Sequence, residues 1–331
     1  MIQNSLKNQL LQKPITLVDV GFKGGVQEKW LPLKKNLNVI GFEPNKEEYD
    51  RLQKDDSHGI IFNTALWNEK RSIDFYVTRA ERLCSCLEPN RKVLDEFPEV
   101  ERFDVLKKKV LPADMFDNVL QKSTLEGEMI NPDFVKLDTQ GTELFILQGM
   151  QQTLTRAIFG VEVEVEVEFI EMYRDQPLFH EVDDFMRKRG FHLFDLKKFY
   201  WRRKCGMGFD GNKRGQVVHG DALYFRKADV YLGVLENSGI NIKARLLKSV
   251  AIVLFFGYSD YAIKILDKAM KKKVISVNEY SLISKTIRKT SRINISLPNF
   301  KGKRLLRNIF LKLFDSSYNG WAMTDKPDLG N

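Results

Sequence analysis

Along the first 228 residues, apolar runs of strand length alternate with stretches whose apolar positions fit a helical period. The runs predict strands at Ile15–Val20, Leu37–Phe42, Ile60–Asn63, Phe134–Leu137, Phe159–Val167, His192–Leu196 and Val217–Phe225. Short extra strands are expected at Ser72–Val77 and Lys109–Leu111, and a loop at Leu125–Pro132. Strands that alternate with helices predict a mostly parallel sheet covered on both faces. Within Val161–Glu168, valine and glutamate alternate strictly, so the four glutamates share one face of a strand. Four like charges on a covered face would repel and be desolvated, so part of that face must meet water, cations or a cleft. Beyond residue 228 the period becomes helical. Asp229–Lys273 reads as two or three helices, with Leu246, Leu247, Val250, Val253 and Leu254 as an apolar stripe. Arg304–Phe314 places Leu305, Leu306, Ile309, Phe310 and Leu313 on one helical face, flanked by Arg304, Arg307 and Lys312.

Charge sharpens this division. The formal net charge is +9, yet residues 229–331 hold 18 Lys and Arg against 8 Asp and Glu, so the preceding part is nearly neutral. The expected organisation is a lead-in at 1–14, a catalytic domain at 15–228 and a basic helical extension at 229–331. Only the extension carries the attraction to anionic partners that a basic chain implies, so no nucleic acid is expected at the catalytic part. Arg304–Phe314 has two readings: a helix docking on the catalytic domain or on a second subunit, which would make the chain a homo-oligomer, or a peripheral contact with the inner face of a membrane. Cys84, Cys86 and Cys205 form neither an even framework nor a CxxC pair, and they read as reduced thiols of a cytoplasmic protein. Met1–Lys13 is polar and amphipathic, with no apolar core followed by a small-residue cleavage site, so export is not expected, and no apolar run approaches the ~20 residues that span a bilayer.

The candidate chemistry begins where the first strand ends, at Asp19-Val20-Gly21-Phe22-Lys23-Gly24-Gly25. Glycines directly after a buried strand let the chain turn tightly and let a ligand approach the backbone. The spacing is not GxGxxG, and no GxxxxGK[ST] phosphate loop occurs in the chain. The second strand stops at Glu43-Pro44-Asn45, which places a carboxylate at its tip, where it can accept both hydroxyls of a ribose. Asp19 suits a ligand that brings an amino acid and a sulfonium, and it would be poorly placed beside a pyrophosphate. The pair therefore favours S-adenosylmethionine over a dinucleotide.

The segment Phe134-Val-Lys136-Leu-Asp138-Thr-Gln140-Gly141-Thr-Glu143-Leu-Phe-Ile-Leu147-Gln-Gly149 resembles the signature of the FkbM family of S-adenosylmethionine-dependent methyltransferases. Asn63-Thr-Ala65-Leu66, Ser85-Cys86-Leu87, Glu166-Val-Glu-Phe169, Tyr173, Gln176-Pro177 and Asp221–Phe225 support the resemblance over roughly Thr16–Arg226. It implies a Rossmann-like, doubly wound α/β sheet of the class I methyltransferase type, here with a C-terminal helical appendage. The cofactor residues implied are Asp19, Gly21, Phe22, Lys23, Glu43, Pro44, Ala65, Leu66, Ser85 and Asp138; Phe22 and Lys23 replace the small residues usual after the first glycine. Methyl transfer needs alignment of the acceptor and a group to take its proton, and Asp138, Glu166 and His180 are the candidates. Asp138 has a second reading as a helix N-cap. Lys136, inside an apolar strand, is expected to pair with a carboxylate. No histidine spacing assembles a metal site. The branch resembled implies a sugar hydroxyl as acceptor, in polysaccharide or glycan biosynthesis. A small-molecule natural product is the alternative acceptor, and a non-catalytic nucleotide-binding scaffold the alternative role. A nicotinamide oxidoreductase would need the missing glycine pattern, and a nucleic-acid amine methyltransferase an Asp/Asn-Pro-Pro-aromatic tetrad where this chain has Asp138-Thr-Gln140-Gly141.

Overall fold

The computed structural model describes residues 10, 13–54, 59–125, 128–156, 158–163, 168–206, 215–236, 241–290, 302, 305 and 321–325. The main-sheet strands β1 (Ile15–Val20), β2 (Leu37–Phe42) and β3 (Ile60–Phe62) are followed by a second sheet of β4 (Ala65–Leu66), β5 (Arg71–Thr78) and β6 (Val105–Asp114). A short hairpin, β7 (Thr124–Leu125) with β8 (Glu128–Met129), lies where the sequence predicts only a loop. The main sheet resumes with β9 (Phe134–Leu137), β10 (Gly160–Val163), β11 (Phe191–Trp201), β12 (Gln216–Arg226) and β13 (Ala322–Thr324). Its order is β13-β11-β12-β10-β9-β1-β2-β3. The pairs from β3 to β10 are parallel, whereas β12 is antiparallel to both its neighbours, and β13 to β11. From β1 the chain builds outward through β2 and β3, then returns to β9 on the other side. That reversal opens a crevice at the carboxyl ends of β1 and β9.

Alternation along the strands feeds two cores. Ile15 and Leu17 face one layer, together with Trp30, Phe134, Phe159, Leu223 and Phe225. Val18 and Val20 face the other, with Ile40, Val135, Leu137, Ala222 and Tyr224. The second layer is covered by α2 (Phe116–Gln121), α3 (Glu143–Gln148), α4 (Gln151–Arg156) and α5 (Phe179–Lys188). The first is covered by the segment after residue 228: α6 (Ala228–Glu236), α7 (Ile242–Phe255), α8 (Ser259–Lys271) and α9 (Val277–Thr290). Four of the five expected stripe residues of α7 are buried, and Leu254 is half-buried. Ala251 and Ile252 are buried as well, because α7 is enclosed by the sheet and its neighbouring helices.

An ionic clamp fixes α7 to the sheet. Asp133, at the entry to β9, is ion-paired to Arg245 and to Lys248 at 2.9 Å, and accepts the Thr16 N–H at 2.8 Å. Residue 228 therefore marks a change of charge, while the packing runs across it without a break. Arg304, Leu306, Arg307, Ile309, Phe310, Lys312 and Leu313 of the amphipathic segment lie outside the described residues. Among the described residues no helix is long and apolar enough to cross a membrane.

Candidate active site

The crevice opens into a cavity of about 350 Å³. Its floor is made where β1 and β9 end. Gly21 has φ +82°, a conformation that favours glycine, and a Cβ there would stand 1.9 Å from the Asp138 carbonyl oxygen. The two strand ends are laced together: Gly21 and Phe22 donate N–H to the Phe42 carbonyl at 3.1 and 3.0 Å, and Asp138 donates to the Val20 carbonyl at 3.0 Å. The Gly24 N–H donates to Glu48 Oε1 at 2.8 Å, which staples the glycine turn to α1 (Lys46–Leu52). The Arg51 guanidinium holds that carboxyl down at about 2, well below the usual range.

Glu43 stands at the tip of β2 and lines the cavity, only 5% exposed. Among the described residues its carboxylate accepts one hydrogen bond, from the Asn45 N–H at 2.8 Å. Burial pushes its pKa up to about 7. Such a carboxylate has acceptor capacity to spare and little water to use it on, which suits two ribose hydroxyls. Asn63 Nδ2 donates to the carbonyls of Glu43 and Pro44 at 2.9 and 3.2 Å and fixes the turn. Pro44, Ala65 and Leu66 complete that wall, and Lys23 lines the cavity while ion-paired to Glu81 at 2.8 Å.

Three other expected cofactor residues sit elsewhere. Phe22 is fully buried in a small core with Val39, Leu52 and Ile61, in space left by Gly41, where a Cβ would meet its ring at 2.3 Å. Asp19 is buried behind the cavity wall and takes Lys136 Nζ at 3.1 Å. Ser85 lies behind the wall, its hydroxyl donating to the Gln140 carbonyl at 2.7 Å and accepting the Leu87 N–H at 3.0 Å. The expected pairing of Lys136 is present, and it is double, since Asp138 lies 3.5 Å from the same ammonium.

Of the proton-acceptor candidates, Asp138 faces the cavity. It is no N-cap, because α3 starts at Glu143 with Thr142 in the cap position. His180 is exposed on the first turn of α5 and lines no part of the cavity. Glu166 lies outside the described residues, as do Glu164, Val165 and Val167 of the alternating run. Among the described residues no cluster of His, Cys, Asp and Glu is arranged to hold a metal.

Several lining residues had no role in the sequence reading. Phe75, Val77 and Lys109 reach in from the second sheet, with Glu81, Arg82 and Cys84 from the turn after β5. Nothing local in the sequence indicates that this hairpin roofs the site. Cys86 lines the cavity with its thiol pushed up to about 12 by burial, so it stays protonated. Glu143, within the signature, is fully buried, and burial pushes its pKa up to about 7.

A model of the methyltransferase FkbM domain matches residues 29–193. The chain carries an FkbM methyltransferase domain. No curated protein sequence matches the chain. Among solved structures, the FkbM methyltransferase of Methylobacillus flagellatus KT is similar at 14% identity and a TM-score of 0.32, over 64% of this chain and 43% of that one. M. capricolum TrmK, solved with S-adenosylhomocysteine, is similar at 12% identity and a TM-score of 0.28, over 88% and 97%. One observation fits such a site to a ribose-bearing donor: the desolvated Glu43 carboxylate, which lines the cavity with an oxygen to offer.

Proposed function

We propose that the protein is an O-methyltransferase that methylates a sugar hydroxyl in glycan biosynthesis, working in the cavity bounded by Gly21, Glu43 and Asp138. The observation that carries this reading is the convergence of Glu43 and Asp138, from the tips of β2 and β9, on one cavity above the Gly21 turn. S-adenosylmethionine supplies a methyl group already activated on a sulfonium, so the chain has only to align and to manage a proton. Glu43 would accept the ribose hydroxyls, and the backbone at Gly21 would admit the amino-acid end. Asp138, ion-paired to Lys136, would set a carboxylate beside the place where the acceptor oxygen meets the methyl carbon. Thr139, Gln140 and Thr142 supply neutral hydrogen-bonding groups of the kind that read sugar hydroxyls.

The test is transfer of label from methyl-labelled S-adenosylmethionine into cell-extract fractions. Label in a glycan fraction that survives mild alkali, as an ether does and an ester does not, supports the reading. Label confined to protein, nucleic acid or a small aglycone would sink it.

A further inference from the structure

The loop between β9 and α3 carries a chain of hydroxyl groups. Thr142 Oγ1 donates to Thr139 Oγ1 at 2.8 Å, and Thr139 Oγ1 donates to Glu143 Oε1 at 2.8 Å. The same carboxylate oxygen accepts the Thr139 N–H at 2.8 Å. Thr139 and Thr142 line the cavity, whereas Glu143 lies behind it, 3% exposed. Every donor in the chain points from the cavity toward the carboxylate. The loop bends back on Gln140 (φ 59°) and Gly141 (φ 96°), and a Cβ at Gly141 would come 2.5 Å from Gln176 Nε2.

Asp138 and Glu143 differ in what surrounds them. Asp138 is ion-paired to Lys136, which also pairs with Asp19 on β1. Glu143 has no cation within ion-pair distance among the described residues. Burial holds its proton affinity near neutral pH, and the Asp138 charge adds to the effect. On α5, which packs against α3, Asp183 and Asp184 are ion-paired to Arg187 and Lys188, and His180 is exposed. A group that titrates near neutrality is matched to collecting a hydroxyl proton during turnover.

We propose that Thr142, Thr139 and Glu143 form the relay that removes the acceptor's hydroxyl proton, with Glu143 as its end point; this rests on reading the cavity as a hydroxyl-methylating site. As the acceptor oxygen bonds to the methyl carbon, the carbon–sulfur bond breaks and its electron pair stays on sulfur. The acceptor proton passes to Thr142 Oγ1, the Thr142 proton to Thr139 Oγ1, and the Thr139 proton to Glu143 Oε1. After the product leaves, the reverse hops return the proton to water. Thr142 is then the group that meets the acceptor, and Glu143 acts through the two threonines.

The test compares the full chain with Thr142→Val, Thr142→Ser and Glu143→Gln. Calorimetry reads S-adenosylmethionine binding, and release of S-adenosylhomocysteine reads turnover, with methyl glucoside as the hydroxyl probe. The wild-type rate is expected to rise with pH and level off above about 7. Thr142→Val is expected to lose at least about tenfold in rate with unchanged donor affinity, and Thr142→Ser to recover most of it. Glu143→Gln is expected to be slower and to lose the inflection. Where methyl glucoside turns over too slowly to follow, carbon NMR of carboxyl-labelled glutamate in the donor-bound protein reads Glu143 directly, assigned by the Glu143→Gln difference. Donor binding with a Thr142→Val rate within about twofold of wild type, or a Glu143 carboxyl that stays ionised down to about pH 5, would overturn the relay. A wild type that binds no S-adenosylmethionine would take the functional reading with it.

Discussion

Glu43 is a carboxylate placed where it costs the fold, and on the proposed reading it serves the ligand. Its pKa near 7, like that of Glu143, lies well above the value of an unfolded chain. Between about pH 4.5 and 7 the folded state therefore holds protons that the unfolded state has released, so stability falls as pH rises through that window. Each shift corresponds to a penalty on the order of 3 kcal/mol above pH 7. Glu43→Gln should accordingly raise the denaturation midpoint at pH 8 and change it little near pH 4. The same substitution should weaken S-adenosylmethionine binding by about one to two decades, from roughly 1.5–3 kcal/mol of lost charge-assisted hydrogen bonding. Wild-type affinity should rise with pH through about 7, since ribose hydroxyls donate to the ionised form, and Glu43→Gln should flatten that dependence. Calorimetry across pH checks both, and an unchanged affinity would remove Glu43 from the site. Asp138→Asn keeps size and removes charge, so it should lower turnover at least tenfold while donor affinity moves by less than about threefold. Turnover within twofold of wild type would leave Asp138 without an electrostatic role.

Among the elements, those that the sequence made legible are the ones whose apolar runs are short and buried on both faces. Ile15–Val20, Leu37–Phe42 and Phe134–Leu137 have the predicted bounds, because each is flanked by a turn residue or a charge. The second hairpin was read short, because β6 is mostly exposed and its Lys107, Lys108 and Lys109 interrupt the apolar pattern. β11 continues to Trp201 for a similar reason: Lys197 and Lys198 break the run, yet Phe199–Trp201 pair with β12 on one side and β13 on the other. In the site, the strand tips were legible, since a carboxylate or glycine at the end of a buried strand has few places to go. Which way Asp19 and Phe22 point was not, since that depends on partners far along the chain, Lys136 for one and the bare Gly41 for the other. The Gly21 turn gives the sharpest test at this scale. Gly21→Ala would drive a methyl into the Asp138 carbonyl and strain a positive φ, so it should abolish donor binding and destabilise the fold by more than about 1 kcal/mol. Wild-type affinity in that variant would mean that β1 and β9 can part without loss.

At the scale of the molecule, the segment after residue 228 is one layer of the core. Trp30 stacks on Phe255 at 4.6 Å, Phe134 on Phe256 at 5.4 Å, and Phe159 meets Tyr231 at 4.9 Å. A chain ending at residue 228 would bare this whole face of the sheet and orphan the buried Asp133, so it should not fold cooperatively. Thermal unfolding followed by circular dichroism should give a single transition for the full chain and none for the truncation; a native-like transition in the truncation would make the segment an independent unit. The cavity has the opposite dependence on the chain, for every described residue lining it falls between Val20 and Ile146. Among the described residues the floor and the roof of the cavity thus lie in one contiguous stretch, and they occupy separate pieces of it: the floor in strand tips and the roof in the hairpin of β5 and β6. A lineage could exchange or lengthen that hairpin, and with it the choice of acceptor, while leaving the methyl-donor grip and the supporting helices untouched. Variation in what the enzyme modifies should therefore accumulate between Arg71 and Asp114, as a cassette set into an otherwise conservative frame.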